Sequence, residues 1–279
     1  MPQRALGLPD PSEYGDMSQL SAGQLLDWIV HRHQARRAGL HHDIRFGSPE
    51  TGLYSWAARK GLPEPGKKHL AVQQPLHSYD YGNFEGEIPE GYGAGTVSKA
   101  DTGKVLLTKV EPNKIHFTLA HRRYPERFVL FKPEGGLGNK EQNWLLMNTT
   151  PTKPVPFEKL HYKSIPAEQV ESVLSNLQPG SSVQAKIDGA LTLTQLMKDK
   201  IELLSYRQSK VHGGPLPHTE RVFHREPNVQ VPKEYVGSVL AGELHATDAQ
   251  GQALNPQTLG GLLNSSIAKS LPEQEKNQT

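Results

Sequence analysis

The sequence predicts a mainly β protein in which a barrel-like domain precedes a smaller, partial α+β unit. Its 279 residues include 26 glycines and 22 prolines, which indicates frequent turns. Between residues 40 and 148, short segments of strand-forming residues alternate with Gly, Pro, Asn or Asp. Many short strands at close spacing are typical of a barrel or a sandwich. Three prolines between residues 151 and 156 then end this pattern.

Eight segments carry the strand prediction, namely DIRFG, LYSWAAR, HLAVQQ, GTVSKA, KVLLTKV, KIHFTLA, RFVLFKP and NWLLMN. Residues 1–20 are polar and predict a loop. Residues 21–33, SAGQLLDWIVHRH, predict either a short helix capped by Ser21 or a turn that enters a strand. Residues 149–163 mark the best domain boundary.

The segment after this boundary combines one helical pattern with several strands. Apolar residues at positions 165, 170, 173, 174 and 177 have helical spacing. The later stretches SVQAKIDGALTLTQLM, KIELLSYRQ and YVGSVLAGELHAT predict strands. The C-terminal EQEKNQT is polar and predicts a frayed end.

Composition excludes several classes of protein. The chain has no cysteine, so disulfides and thiolate metal sites are excluded, and a reducing compartment fits. No apolar segment typical of a secretory signal and no run long enough to span a membrane are found. The net charge of +2 neither requires nor excludes a nucleic-acid partner, so the local basic clusters carry more information.

The stretch HRHQARRAGLHHDIRF, residues 31–46, holds four histidines, four arginines and one aspartate. On a strand, His41, Asp43 and Arg45 share one face, while Ile44 occupies the other. His33 can fold back onto this face across QARRAG. Two histidines and a carboxylate would make a three-ligand site with open positions, suited to Mn, Fe or Zn. An anion such as phosphate in those positions would explain the neighbouring arginine.

A simpler reading remains open at this point, because the spacing of these ligands is not specific. The stretch then forms a solvated loop and strand edge, with Asp43 and Arg45 as a surface ion pair. A second polar cluster, residues 77–95, places His77 four residues before Tyr81. These two side chains are candidates for proton donation and for phosphate binding, or they make structural hydrogen bonds in a Tyr-rich loop. The glycines of GYGAG predict turns.

Several of these motifs occur together and in order: HQARRAGLHHDIRF, SWAARKG, HLAVQQPLHSYDYGNFEGEIPEGYGAGTV, RFVLFKP and NWLLMN. Together they resemble the 3′-phosphoesterase module of bacterial DNA ligase D, over roughly residues 31–148. The resemblance implies a β-barrel-like phosphoesterase domain with a polar cavity. It also implies an enzyme that trims a 3′-terminal ribonucleoside and removes a 3′-phosphate from DNA ends during break repair.

The resemblance also assigns roles to individual residues. His33, His41 and Asp43 would hold a divalent metal, most commonly manganese, with zinc or cobalt as alternatives. Arg45 and His77, with Lys60 and Tyr81, would bind the phosphate or assist its transfer. The implied partners are DNA 3′ ends, in a primer-template or nicked duplex, and a separate ligase or end-joining protein. The implied location is the bacterial cytoplasm, in association with the nucleoid and not with a membrane.

Two departures from this family concern the site. His33 and His41 lie eight residues apart, whereas many members have the two histidines closer together, so His31 competes with His33 as the upstream ligand. His69 stands where the family often has an arginine. A histidine cannot bind phosphate bidentately, so we expect weaker anion binding there.

The later order Lys186-Ile187-Asp188-Gly189, LLSYRQ and LAGELHA resembles the nucleotidyltransferase domain of ATP-dependent DNA ligases. By this resemblance Lys186 would be the nucleophile that forms lysyl-AMP, and Arg207 and Glu243 would bind the nucleotide. ATP or AMP would be a cofactor only if this segment is functional. Ala190 and Ala241 depart from the family pattern, and its downstream motifs do not follow.

These observations predict three parts. Residues 1–150 form the phosphoesterase domain, with residues 1–30 as an N-terminal arm. Residues 151–163 form a proline-rich linker, and residues 164–279 form the first part of a ligase adenylation domain. We expect end-healing activity, and we do not expect strand joining by this chain alone. The alternatives are a ligase fragment that forms lysyl-AMP and a non-catalytic module that binds DNA ends or docks a partner.

Overall fold

The computed structural model describes residues 14–91, 93–135, 137–138, 140–151, 165–180, 188–211, 214–224 and 229–277. Nine strands form one sheet in the N-terminal part: β1 (Leu25–Ala35), β2 (Gly39–Ser48), β3 (Gly52–Ala58), β4 (Lys68–His77), β5 (Gly86–Ile88), β6 (Gly95–Glu111), β7 (Lys114–Leu119), β8 (Arg127–Phe131) and β9 (Asn143–Asn148). The prediction of a mainly β architecture is confirmed.

Strand β1 closes this sheet into a barrel, because it pairs antiparallel with both β2 and β6. The sheet order β1-β2-β3-β4-β9-β8-β7-β6 therefore returns to β1 after eight strands, and β5 is added on β6. Closure leaves no free edge among these eight strands, so their backbone polar groups are paired within the barrel.

Aromatic side chains fill the barrel interior. Trp28 of β1, Phe46 of β2 and Trp56 of β3 are completely buried. The rings of Phe46 and Trp56 stack with centroids 5.3 Å apart, and Trp56 meets Trp144 edge-on at 5.9 Å. Because side chains alternate along a strand, the residues directly before and after each of these aromatics face the outside of the barrel. In β1 and β2, that outer face carries the histidine-rich residues.

The structure corrects three local predictions. The helix predicted as one option for residues 21–33 is wrong, because β1 is extended from Leu25 onward and pairs on both sides. GTVSKA and KVLLTKV are one strand rather than two, because pairing with β1 keeps β6 extended through Gly103. The predicted frayed C-terminus is helical as far as Asn277, because Ile267 and Leu271 bury one face of that helix.

The second sheet has the order β12-β11-β10-β13. Its strands are β10 (Ala190–Leu196), β11 (Ile201–Ser209), β12 (Gly214–Pro217) and β13 (Val239–Leu244). The helices are α1 (Val170–Ser175), α2 (Thr219–Phe223), α3 (Pro256–Asn264) and α4 (Ile267–Asn277). The helical pattern after residue 165 is confirmed by α1 and the short 3₁₀ turn before it. None of the described helices is long and apolar enough to cross a membrane.

The two sheets are joined by a buried ionic and apolar contact. Arg127 of β8 donates to Glu202 of β11 at 2.7 Å and to Glu220 of α2 at 3.1 Å. Burial by itself lowers the pKa of Arg127, but Glu220 and Glu202 outweigh burial and keep it raised. Ile267 and Leu271 of α4 pack against Leu106 and Ala120 of the barrel.

Replacing Arg127 with methionine is expected to lower the free energy of unfolding by about 3–5 kcal/mol, because Glu220 is then buried without its guanidinium. The measurement is denaturant unfolding. The matched control is Arg36→Met, which breaks the exposed pair with Glu87. That change should cost less than about 1 kcal/mol. Equal effects of the two substitutions would show that the buried contact does not contribute more than a surface pair.

Candidate metal and phosphate site

The histidine-rich residues lie on the outer face of the β1–β2 hairpin. The antiparallel register places His33 opposite His41, and His31 opposite Asp43. The prediction that His41, Asp43 and Arg45 share a face is confirmed by the alternation of β2, whose Ile44 and Phe46 enter the core. Residues opposite each other in a ladder lie about 5 Å apart, so the pairing gathers these side chains in one place.

The long spacing between His33 and His41 follows from the geometry of this hairpin. Ala35 pairs with Gly39 across the turn at residues 36–38, and Gly39 has a φ of +71°. A left-handed residue after a three-residue turn is a common hairpin closure, and glycine adopts it without strain. The extra residues are therefore absorbed in the turn, and the two histidines still meet.

His33, His41 and Asp43 form a potential metal-binding triad. One ligand atom from each of the three residues lies within 4.8 Å of the others. The Nδ1 atom of His33 is 3.5 Å from Asp43 Oδ2, and the Nε2 atom of His41 is 3.4 Å from Asp43 Oδ1. The three side chains are largely buried, with 7–12% of each exposed.

Backbone carbonyls determine which histidine nitrogens face this triad. The Nε2 atom of His33 lies 2.9 Å from the Gly93 carbonyl, and the Nδ1 atom of His41 lies 3.0 Å from the Gly39 carbonyl. A nitrogen that contacts a carbonyl must carry the proton, so the other nitrogen of a neutral ring is a lone-pair donor. Two such lone pairs and a carboxylate point at one position. This donor set fits a divalent cation with open coordination sites.

His31 is not part of this triad, although it was a candidate for the upstream ligand. It is completely buried, and its Nδ1 atom accepts a hydrogen bond of 2.7 Å from Nη1 of Arg45. Its Nδ1 lone pair is therefore committed to the guanidinium. The structure thus distinguishes the two histidines: His33 faces Asp43 and His41, whereas His31 holds Arg45.

Arg45 connects the triad to the rest of the pocket. Its Nη2 atom donates to Asp43 Oδ2 at 3.1 Å, and its guanidinium lies over the Tyr81 ring at 5.1 Å. The Nε atom of Arg45 is buried and has no hydrogen-bond partner among the described residues. Ser55, which is opposite Arg45 on β3, has a buried hydroxyl that likewise lacks a partner of standard geometry there. These orphaned polar atoms indicate room for a polar ligand.

The end of β4 and the turn after it bring two further side chains to the site. His77 ends β4, and Tyr81 lies in the 3₁₀ turn Tyr79–Asn83. The two rings are 5.1 Å apart and both side chains are buried. The Nδ1 atom of His77 lacks a partner of standard geometry among the residues described. His77 and Tyr81 are therefore brought to the same pocket as Arg45, as their spacing predicted.

Burial and the Arg45 charge control protonation in this pocket. Burial, then Arg45, lowers the pKa of His77 to about 3 and that of His31 to about 4. Burial raises the pKa of Asp43, but Arg45 and His33 outweigh it and hold this pKa below its usual range. Without a ligand, Asp43 is therefore ionised and His31 and His77 are neutral near pH 7.

The remaining predicted residues lie apart from this buried cluster. Lys60 is exposed in the turn after β3, and the Nδ1 atom of His69 contacts the Gly61 carbonyl at 2.9 Å. In the second sheet, Arg207 and Glu243 are exposed on β11 and β13. Lys186 and the linker core, residues 152–163, lie outside the described residues.

Sequence reasoning missed three contributors to the site. The carbonyls of Gly39 and Gly93 set the histidine tautomers, and the prediction treated the GYGAG glycines only as turns. The Ser55 hydroxyl joins the face through its pairing with Arg45. The sequence does contain a signal for Ser55. Strand alternation across LYSWAAR puts Tyr54 and Trp56 in the core, so Ser55 must lie on the outer face with the site.

Comparison with known proteins finds similarity in the N-terminal part of the chain. Residues 31–132 match the family described as the DNA Ligase D 3′-phosphoesterase domain. The N-terminal part of the chain is thus similar to a DNA end-processing phosphoesterase domain. The chain is also 34% identical over 174 residues to the multifunctional non-homologous end joining protein LigD of Pseudomonas aeruginosa. This match covers 60% of the chain but only 20% of the relative, so the similarity concerns about a fifth of that protein.

Divalent cations are expected to stabilise the protein through the triad. At a concentration 100-fold above the dissociation constant, Mn²⁺ or Zn²⁺ should raise the thermal unfolding midpoint by about 5 °C or more. Asp43→Asn and His41→Ala should lose this response, whereas the exposed control His245→Ala should keep it. Equal responses of the wild type and both triad variants would contradict the assignment. The measurement is thermal unfolding with increasing metal after dialysis against a chelator.

Lowering the pH from about 6.5 toward 4 is expected to destabilise the metal-free protein. The folded-state pKa values of His31 and His77 lie below the unfolded value of 6.5, so the unfolded chain binds more protons as the pH falls. The unfolding free energy should therefore decrease from about pH 6.5 downward, by about 1–2 kcal/mol per histidine at pH 5. The double variant His31→Asn/His77→Asn should lose a large part of this slope in denaturant unfolding with chelator, and His245→Asn should retain the full slope. The part that remains in the double variant is expected from His218, because burial lowers its pKa to about 4 as well. An unchanged slope in the double variant would contradict the account.

Proposed function

We propose that the N-terminal part is a metal-dependent phosphoesterase that heals DNA 3′ ends, removing a 3′-terminal ribonucleoside and a 3′-phosphate. The observation that carries this proposal is the joint arrangement of the triad and Arg45. A donor set suited to a cation lies beside a buried guanidinium whose Nε atom has no hydrogen-bond partner in the part of the chain that the structure describes. A phosphate can bind the cation through one oxygen and accept hydrogen bonds from the Arg45 guanidinium through another. The family match supports that chemistry.

His33, His41 and Asp43 would hold the divalent metal, with manganese preferred and zinc or cobalt as alternatives; it would polarise the phosphoryl group. Arg45 binds the phosphate oxygens and stabilises the charge that develops on them. Its hydrogen bonds to His31 and Asp43 hold the guanidinium in place before the substrate arrives. Tyr81 packs beneath the guanidinium. Lys60, which is exposed in the turn after β3, is proposed to contact the phosphate from outside the buried cluster.

His77 is the proposed general acid that protonates the leaving oxygen. Its pKa of about 3 reflects burial and the charge of Arg45. A bound phosphate brings negative charge to Arg45 and offsets its repulsion of a protonated imidazole, so the pKa of His77 rises when substrate is present. The residue can then hold a proton within reach of the scissile bond.

The proposed substrate is the 3′ end of a primer-template or nicked duplex. Arg32, Arg36 and Arg37 are exposed beside the site, at the hairpin turn and the end of β1. These side chains would contact the phosphates of the DNA strand, so binding should weaken steeply with added salt. A separate ligase or end-joining protein is the proposed downstream partner, because a healed 3′-hydroxyl end is a substrate for sealing.

For residues 164–279, the ligase-type hypothesis stays a prediction. Lysyl-AMP formation would require the Lys186 amine near Arg207 and Glu243 with bound ATP. Similarity to the DNA ligase D family model ends at residue 132. The proposed boundaries, with a domain at 1–150 and a linker at 151–163, likewise await limited proteolysis.

The decisive assay uses a 5′-labelled DNA primer-template whose primer ends in one ribonucleotide or in a 3′-phosphate. The purified protein is incubated with chelator and then with added Mn²⁺. We expect manganese-dependent shortening of the first primer and loss of the phosphate from the second. His41→Ala should lower both rates by at least about 100-fold, because it removes a metal ligand.

The control is His245→Ala, an exposed histidine in the second unit, which should keep full activity. If wild-type protein binds the DNA tightly but gives no product at any metal concentration, the phosphoesterase proposal is wrong. A non-catalytic module that binds DNA ends would then explain the chain better. Activity that persists in His41→Ala would instead show that the metal site has been assigned to the wrong residues.

A further inference from the structure

A cleft of about 420 Å³ lies on the same outer face of the barrel, further along β1 from the triad. His33, His31, Ile29 and Asp27 occupy alternate positions of β1, and successive members are about 7 Å apart. Ile29 and Asp27 line the cleft, together with residues of β6 and of the 3₁₀ turn Tyr79–Asn83. The cleft therefore begins beside His31 and extends away from the metal ligands.

Strand pairing connects the near end of the cleft to the phosphate-binding residues. Ile29 lies opposite Arg45 on β2, and His31 lies opposite Lys99 on β6. Lys99 also lines the cleft. A phosphate held by Arg45 would thus stand next to the entrance, and a group attached to that phosphate can extend into the cleft.

The far end of the cleft carries a carboxylate with spare hydrogen-bonding capacity. Asp27 Oδ2 accepts a hydrogen bond of 2.7 Å from the Tyr79 hydroxyl, and Asp27 Oδ1 is 2.8 Å from Lys104 Nζ. A carboxylate accepts about four hydrogen bonds, and this one remains 28% exposed. Asn83 lies nearby in the lining, and its Oδ1 atom contacts Lys99 Nζ at 3.4 Å. Donors and acceptors therefore face the same space.

These groups match a single nucleoside better than a duplex. A carboxylate is a common acceptor for ribose hydroxyls, and the amide and ammonium groups beside it supply donors. Ile29 adds apolar surface to the lining. A cleft of this volume lies in the range of small-molecule sites. Duplex DNA instead fits the open, basic turn at Arg36 and Arg37, at the other end of β1.

We propose that the cleft binds the 3′-terminal ribonucleoside that the phosphodiesterase reaction releases, with Asp27 accepting hydrogen bonds from its ribose hydroxyls. This inference rests on the proposed function. In the reaction, a water oxygen bonds to phosphorus, the bond between phosphorus and the nucleoside O5′ breaks, and O5′ leaves with a proton. The ribonucleoside departs from the cleft, and the strand keeps a 3′-phosphate. Removal of that phosphate does not use the cleft.

The test compares Asp27→Asn with wild type in the full chain, on three primer-templates that end in a ribonucleotide, a deoxynucleotide or a 3′-phosphate. Asparagine keeps an acceptor for Tyr79 but loses the charge. We expect ribonucleoside release to fall by roughly tenfold and the preference for ribonucleotide over deoxynucleotide ends to narrow. Removal of the 3′-phosphate should stay within about twofold of wild type. Asn83→Ala, which changes an exposed lining residue, should act in the same direction.

The matched control is Glu111→Gln, which neutralises an exposed carboxylate paired with Lys109 on β6 and should leave every rate unchanged. If Asp27→Asn and Asn83→Ala reduce both reactions equally, the cleft serves the retained strand or the fold, and the inference fails. It also fails if neither variant alters any rate. Wild-type protein that processes none of the three ends would refute the proposed function itself, which separates the two failures.

Discussion

The double pairing of β1 with β2 and β6 is the constraint on which the rest of this structure depends. It closes the barrel, and it also fixes the register that sets His33 against His41 and His31 against Asp43. A shift of one residue would turn the histidines into the aromatic core and expose Trp28, which is completely buried. The energy that fixes the register therefore comes from the core, while the candidate site lies on the opposite face of the same strands.

The polar face is costly to bury, and its hydrogen bonds limit that cost. Asp43 and Arg45 are both nearly inaccessible, and each would be strongly destabilising without the other. Their ion pair, the hydrogen bond to His31 and the packing of Tyr81 hold the guanidinium in one orientation. Several polar atoms in the pocket nevertheless lack partners among the described residues. Incomplete satisfaction of this kind is typical of a site that acquires its last partners with its ligand.

The second unit is attached to the barrel more firmly than a flexible linker alone would provide. Arg127 bridges two glutamates of that unit, and Arg221 donates to the Arg123 carbonyl of the barrel. These contacts lie on β8, the β7–β8 connection and the helices α2 and α4, away from the triad on β1 and β2. These described contacts between the two units therefore do not involve the residues that form the candidate site.

The sequence alone determined the β architecture, the face shared by His41, Asp43 and Arg45, and the candidate residues, because strand alternation and the order of motifs are local properties. Only the tertiary structure decided between His31 and His33, since that choice depends on the register across a hairpin turn. It also decided that β6 is one strand, because pairing with β1 outweighs the local turn signal of Asp101-Thr102-Gly103. The contact between His33 and the Gly93 carbonyl, and the cleft beside Ile29, arise where segments distant in sequence meet. No local pattern encodes such contacts, because they form only when the barrel closes.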